Sequence, residues 1–241
     1  MSNLKNTRCS IVMATYNGEK YIKEQIDSIL VNMNSEDELI ISDDGSTDAT
    51  LNIINQYNDN RIRLIQGPKK GVKQNFANAI EKTKGKYIFL SDQDDIWEIN
   101  KIEAVLKEFK HASVVIHDAE VVDENLNTTM SSFFNYRNSG KGVIKNIYKN
   151  TYIGCCMAFK ADLKKYILPI PNNIEMHDQW IGILGEIKGE GSVFLNQKLI
   201  KYRRHSSNVS QMKHYVILKM ISNRINLIFM LITRNGEKNV K

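Results

Sequence analysis

The chain has 241 residues, which suits one large domain or one domain with an appendage, and its 42% hydrophobic content is enough for a real core. Three prolines and thirteen glycines argue against a long disordered linker. A formal net charge of +6 permits attraction to phosphates or anionic lipid, but without a nucleic-acid-binding motif it gives no reason to expect nucleic acid as a partner.

Cys9–Ala14 reads as a buried strand, closed by the turn signal Thr15-Tyr16-Asn17-Gly18. Residues 19–31 follow as a helix, with Ile22, Ile26 and Ile29 at helical spacing. Glu38–Ser42 is a second strand ending at Asp43-Asp44-Gly45-Ser46, and Ser46 or Thr47 caps a helix bearing Leu51, Ile54 and Tyr57. Arg61–Ile65 is a third strand, and Val72–Lys82 a helix that turns Phe76 and Ile80 inward. Lys86–Leu90 is a fourth strand, ending at Ser91-Asp92-Gln93-Asp94-Asp95. Beyond residue 98 a helix carries Ile102, Val105, Leu106 and Phe109, and His111–Val122 forms one or two strands. Thr128–Lys149 is polar and irregular and reads as a loop. Ile153–Phe159 is strand-like, Asp178–Ile187 is a helix, and Ser192–Leu195 with Lys198–Tyr202 closes the sheet. Residues 213–241 form a separate tail after a main domain of residues 1–212.

Strands alternating with helices imply right-handed βαβ units, hence an α/β fold with a doubly wound, mostly parallel sheet flanked by helices. Such sheets bind ligands beyond the carboxyl ends of their strands. Three of the first four strands end in polar clusters, at Thr15-Tyr16-Asn17, at Asp43-Asp44 and at Asp92 to Asp95. Each alone is an ordinary solvated turn; three at one sheet edge point to a site. Crowded carboxylates repel one another, and a divalent cation relieves the repulsion. Oxygen ligands select Mg2+ or Mn2+, both of which keep positions open for substrate phosphates. Trp97, two residues past the cluster, is an aromatic that a mere solvated loop rarely needs.

FLSDQDDIW (Phe89–Trp97) closely resembles the D-x-D-D-x-W segment of family 2 inverting glycosyltransferases of the GT-A fold, above all the rhamnosyltransferase-like branch that builds bacterial surface polysaccharides. The likeness runs on through SIVMATYNGEKYIKEQIDSIL (Ser10–Leu30), ISDDGSTDAT (Ile41–Thr50), GVKQNFANAI (Gly71–Ile80), EMHDQWIG (Glu175–Gly182) and YRRHSSNVS (Tyr202–Ser210), covering about residues 9–211.

This resemblance implies transfer of a sugar from a nucleotide diphosphate, such as dTDP-rhamnose or a UDP-sugar, to a hydroxyl of a lipid-linked or oligosaccharide acceptor. Tyr16 would stack on the base and Asp44 would accept from its imide N–H, in a pocket shaped by Thr15, Asn17 and Asp43 and touched by Lys73 and Asn75. Asp92 would lie near ribose and metal, Asp94 would ligate the metal, and Asp95 would hold the acceptor or support the metal ligands. Asp178 would be the general base, positioned with His177 and Trp180, although its place at a helix start alone reads as a cap. Arg204 and His205 would fold over the diphosphate, His205 ligating the metal or bonding a phosphate oxygen.

Other classes fit less well. A sugar-phosphate nucleotidyltransferase needs a basic, Gly-rich loop after its first strand, and here no basic residue precedes Lys20. A non-catalytic nucleotide-sugar module needs no Asp178. The first strand is followed by no G-x-G-x-x-G, and there is no P-loop. Cys9, Cys155 and Cys156 have no framework or metal spacing, so they read as reduced, packed thiols in a cytoplasmic protein. No signal peptide opens the chain and no apolar run spans a bilayer. The tail HYVILKMISNRINLIFMLI, broken by Lys219 and Arg224, suits an amphipathic helix lying on a membrane surface, on a second subunit as in a homodimer, or on its own domain.

Overall fold

The computed structural model describes residues 7–206, 208 and 217–236. Ser207, Val209 and Ser210 of the closing motif, and tail positions 213–216 and 237–241, lie outside the described residues.

The chain opens with β1 (Cys9–Thr15), α1 (Ile22–Leu30), β2 (Glu38–Asp43), α2 (Thr50–Asn55), β3 (Ile62–Gln66), α3 (Val72–Glu81) and β4 (Tyr87–Ser91). It continues through β5 (Ile96–Trp97), α4 (Lys101–Glu108), β6 (Val114–Val122), β7 (Thr128–Met130), α5 (Phe133–Arg137) and α6 (Val143–Tyr148). A 3-10 turn at Gly154–Cys156 leads into β8 (Met157–Lys160), α7 (Lys164–Ile167), α8 (His177–Lys188), β9 (Ser192–Arg203) and α9 (Ile217–Gly236).

The sheet runs β3-β2-β1-β4-β8-β6-β9-β5, with β7 paired to β6. β1 to β4 are mutually parallel, β8 and β5 run against their neighbours, and β9 is parallel to β6. Helices cover both faces of the parallel half, so Ile11, Val12 and Met13 of β1 are all buried rather than alternating. Register sets the strand ends level: Thr15 lies opposite Asp43, and Asp43 opposite Gln66. The turns carrying the polar clusters therefore emerge side by side.

Several stretches differ from the sequence reading: neither Ser46 nor Thr47 caps α2, which begins at Thr50 behind Ala49, and Gly154–Cys156 is a 3-10 turn before the strand rather than part of it. Thr128–Lys149 is not a loop but carries β7, α5 and α6. Its helices are too short for periodicity to register, and α5 is held by the Ser132 side chain accepting from Asn135 N. The two closing strands are one, β9, whose exposed Asn196 and Gln197 sit at a register irregularity between Leu195 and Lys198. Helix α1 starts at Ile22 because the amides of Tyr21 and Ile22 first turn back to Gly18 O.

Helix α8 reaches the sheet through small residues. A Cβ on Gly185 would stand 2.1 Å from Val114 Cγ2 of β6, and one on Gly182 would stand 2.6 Å from the Tyr152 ring. The stiff β-branched Val114 cannot retreat easily. Gly185→Ala is expected to cost about 1–3 kcal/mol of stability by overpacking, measured as a lower urea midpoint at unchanged slope.

Candidate active site

The first cluster is tied to the other two by hydrogen bonds. Tyr16 N donates to Gln93 Oε1 at 2.9 Å, and Gln93 Nε2 donates back to Tyr16 O at 3.1 Å. This two-way clamp leaves the Tyr16 ring 56% exposed, a free aromatic face at the sheet edge. Asn17 adopts a left-handed φ of 49° and its Oδ1 accepts from Thr47 N at 2.8 Å. Thr15 Oγ1 donates to Asp43 Oδ2 at 2.9 Å, and Asp43 also accepts from Gly45 N, Ser46 N and Ser46 Oγ. Thr15, Asn17 and Asp43 thus shape the turns rather than project from them.

Asp44 accepts from Lys69 N at 2.6 Å and Gly71 N at 2.7 Å, which pins the turn before α3. Asn75 is buried and its amide donates to Ser42 O at 2.7 Å and Thr15 O at 3.3 Å, which ties α3 to the ends of β1 and β2. Lys73 Nζ donates to Asn172 O at 2.8 Å and to Ile174 O, joining α3 to the segment before α8. Backbone carbonyls thus hold the Asn75 amide N–H groups and the Lys73 ammonium, while Asn75 Oδ1 is buried without a hydrogen-bond partner.

The acidic residues divide into two subsets. Asp94 Oδ2 meets His205 Nε2 at 2.8 Å and Asn208 Nδ2 at 3.1 Å. Asp92, Asp95 and Cys155 place their ligand-type atoms within 4.8 Å of one another. Asp95 is fully buried, with Oδ1 accepting from Arg203 N at 3.0 Å and Oδ2 without a hydrogen-bond partner. Burial, then the charges of Asp94 and Asp178, pushes the Asp92 carboxyl up to about 7, and burial raises Asp95 well above the usual carboxylate range.

A divalent cation suits this set. An orphaned carboxylate oxygen and a crowd of raised carboxyls are what a cation relieves, and the oxygens are hard donors. Cys155 is a soft donor whose thiol burial holds protonated, so beside these hard oxygens it lines the acids rather than replacing them as a ligand. The expectation of plain packing is therefore corrected for Cys155. Lys101 was also unforeseen: buried, its Nζ donates to Cys155 O at 3.0 Å and lies 3.7 Å from the Trp97 ring centroid. Trp97 itself is buried against Phe89, so it supports the strand behind the cluster.

Asp178 sits in the first turn of α8, buried, with Oδ1 accepting from Gln179 N at 2.6 Å and Asn150 Nδ2 at 3.1 Å. Burial pushes its carboxyl up to about 6 against the lowering effect of those two donors. Its charge adds to what raises the Asp92 carboxyl, after burial and Asp94. His177 is stacked on Phe76, with ring centroids 4.3 Å apart, and burial drives it down to about 3, a neutral ring at ordinary pH. Trp180 is fully buried and its indole N–H donates to Ile167 O at 2.9 Å, which makes it a core residue behind the site and not a wall of it. Arg204 Nη1 bonds Tyr202 Oη at 2.9 Å, and His205 packs 4.8 Å from the Tyr21 ring.

Residues 10–167 match the Glycosyl transferase family 2 model. The dTDP-rhamnosyl transferase RfbG of Shigella flexneri is 29% identical over 218 residues, spanning 81% of this chain and 72% of that protein. The UDP-Glc:alpha-D-GlcNAc-diphosphoundecaprenol beta-1,3-glucosyltransferase WfgD of Escherichia coli is 28% identical over 211 residues, spanning 85% of this chain and 80% of that protein. In fold, S. aureus TarS (residues 1–349, solved in complex with UDP-GlcNAc) superposes with a TM-score of 0.73 at 18% identity, over 94% of this chain and 66% of that one.

Proposed function

Because the chain belongs to glycosyl transferase family 2 and its relatives include a dTDP-rhamnosyl transferase and a UDP-Glc-dependent glucosyltransferase, we propose an inverting, cation-dependent transfer from a nucleotide diphosphate sugar to an acceptor hydroxyl of a bacterial surface polysaccharide, at the β1, β2 and β4 edge. The observation that supports this reading is the acidic cluster after β4, where ligand-type atoms of Asp92, Asp95 and Cys155 lie within 4.8 Å of one another; we take the buried carboxylate of Asp178, in the first turn of α8, as its base. The catalytic unit is residues 1–212, with residues 213–241 appended.

Tyr16, held by its backbone through Gln93, offers its face to the base of the donor. Asp44 completes the pocket wall from the turn it pins. Asp92 and Asp94, with Asp95 beside Asp92 and His205 beside Asp94, would hold Mg2+ or Mn2+, whose charge would stabilise the departing diphosphate. Arg204 stands on the same closing segment as His205. In the transfer, the acceptor oxygen forms a bond to the anomeric carbon as the bond from that carbon to the diphosphate oxygen breaks. The acceptor proton passes to Asp178 and the electron pair leaves with the nucleoside diphosphate. One displacement needs one base and inverts the anomeric centre.

The names of RfbG and WfgD favour dTDP-rhamnose or a UDP-sugar as donor, and WfgD favours a lipid-linked acceptor over a free oligosaccharide. Among the described residues no helix is long and apolar enough to cross a membrane, which suits a cytoplasmic protein attached at the membrane face. Turnover against a panel of UDP-, dTDP- and GDP-sugars with Mn2+ or Mg2+ tests the reading. Release of nucleoside diphosphate that requires both cation and acceptor supports it. Release by no donor, with lipid-linked and soluble acceptors alike, would sink it.

A further inference from the structure

We infer that the joined outer face of α6 and α9 is a docking surface for an anionic lipid bilayer, which turns the Asp178 side of the site towards an acceptor carried in that bilayer. The lipid contact stands by itself; the orientation of the acceptor rests on the transfer reading.

Helix α9 buries Leu227 and Leu231 against the domain. Ile221, Ile225, Ile228, Phe229 and Ile232 then stand exposed, Ile225 and Phe229 each by 60%. At 3.6 residues per turn these five fall within a stripe about 100° wide, away from the buried pair. Helix α6 packs beside α9 and extends the patch, with Ile144 84% and Tyr148 72% exposed. Arg224 of α9 joins the two, its Nε donating to Tyr148 O at 2.9 Å. Scattered exposed hydrophobics need no explanation, but a contiguous stripe on two adjoining helices marks a contact surface.

The charge around the patch chooses the partner. Residues 125–161 include Arg137, Lys141, Lys145 and Lys149 and no Asp or Glu, and residues 201–236 likewise hold only basic charges. Glu175 and Glu186, from neighbouring elements, are engaged in hydrogen bonds, Glu175 with Asn223 Nδ2 and Glu186 with Gly142 N and Tyr152 Oη. A two-fold dimer through this face would set the same lysines against each other. An anionic lipid surface instead attracts every one of them while the isoleucines enter the acyl boundary.

The same two helices are fastened to the proposed base. Asn150, two residues past α6, donates to Asp178, and Asn223 of α9 donates to Glu175 at 2.7 Å, three residues before Asp178. A bilayer under α6 and α9 therefore lies beside the acceptor side of the site, not the Tyr16 side.

The test is sedimentation of the full chain with phosphatidylcholine vesicles with and without phosphatidylglycerol. The chain should pellet with the phosphatidylglycerol vesicles and be released by salt. Ile225→Glu with Phe229→Glu, both at exposed positions, should weaken partitioning by about tenfold or more, as should Lys145→Glu with Lys149→Glu. A chain that stays in the supernatant, or variants that pellet like the parent, would overturn the docking. So would a dimer by light scattering that Ile225→Glu with Phe229→Glu splits, because the face would then belong to a second copy. UDP titration of the same variants should be unchanged. Vesicle binding needs no donor, so its failure would leave the transfer chemistry standing, and inactive protein that still pellets would sink only the latter.

Discussion

Asp178→Asn is expected to lower the rate of sugar transfer by about 10²–10⁴-fold while UDP still binds normally. The substitution keeps the shape and the oxygen that accepts from Gln179 N and Asn150 Nδ2, and removes only the capacity to take a proton. If Asp178 merely supports the start of α8, Asn would serve as well and the rate would hold. The pH profile gives a second reading. Burial pushes the carboxyl up to about 6, so transfer should fall tenfold per unit below about pH 6 in the parent. The same group acts on stability with the opposite sign. Its pKa in the folded chain lies above the unfolded value, so the folded state keeps its proton while the unfolded one loses it between about pH 4 and pH 6. Stability contributed by this group is therefore greatest below about pH 4 and falls as pH rises to about 6. Asp178→Asn should melt no lower than the parent at pH 7.5, and NMR of the parent's product should show an inverted anomeric centre. A retained configuration would refute the single displacement.

Asp94→Ala should abolish the cation dependence of UDP affinity and cost at least about a hundredfold in kcat/KM. Asp94 is the carboxylate that faces both His205 and Asn208, so its loss also frees the closing segment. The measurement is calorimetric titration of UDP with Mn2+ and with chelator. In the parent, affinity with Mn2+ should rise between pH 6 and pH 8, because the cation displaces a proton from Asp92, whose carboxyl is raised to about 7. Equal affinity with and without Mn2+ in the parent, and no loss in Asp94→Ala, would remove the cation from the mechanism.

Three of the first four strands were legible because each is a short apolar run stopped by a polar cluster, and their register then sets those turns level. Helix α8 was legible for its long apolar periodicity. What escaped has a common cause: it depends on contacts between residues far apart in the chain. β5 has two residues and exists only through pairing with β9. Lys101 reads as an ordinary helix lysine until α4 packs its ammonium against Trp97 and Cys155 O. Cys155 reaches the acids only because the turn before β8 lies against β4. Gln93 and Asn208 lay inside quoted motifs, yet no pattern told that one would clamp Tyr16 or the other Asp94. Conversely, Trp180, Asn75 and Lys73 carried a functional expectation from sequence position, while their donor nitrogens are engaged by backbone carbonyls and only Asn75 Oδ1 is left without a partner.

All three sulfurs are free and buried, and burial holds the Cys9 and Cys155 thiols above their ordinary range. Thiolate is the reactive form, so native protein should be silent to maleimide and to oxidants at neutral pH. A single cysteine introduced at the exposed position of Ile225 would then be the one labelled residue, without deleting any native sulfur. An environment-sensitive fluorophore placed there would report, from one molecule, whether that helix sits in water or against a greasy surface.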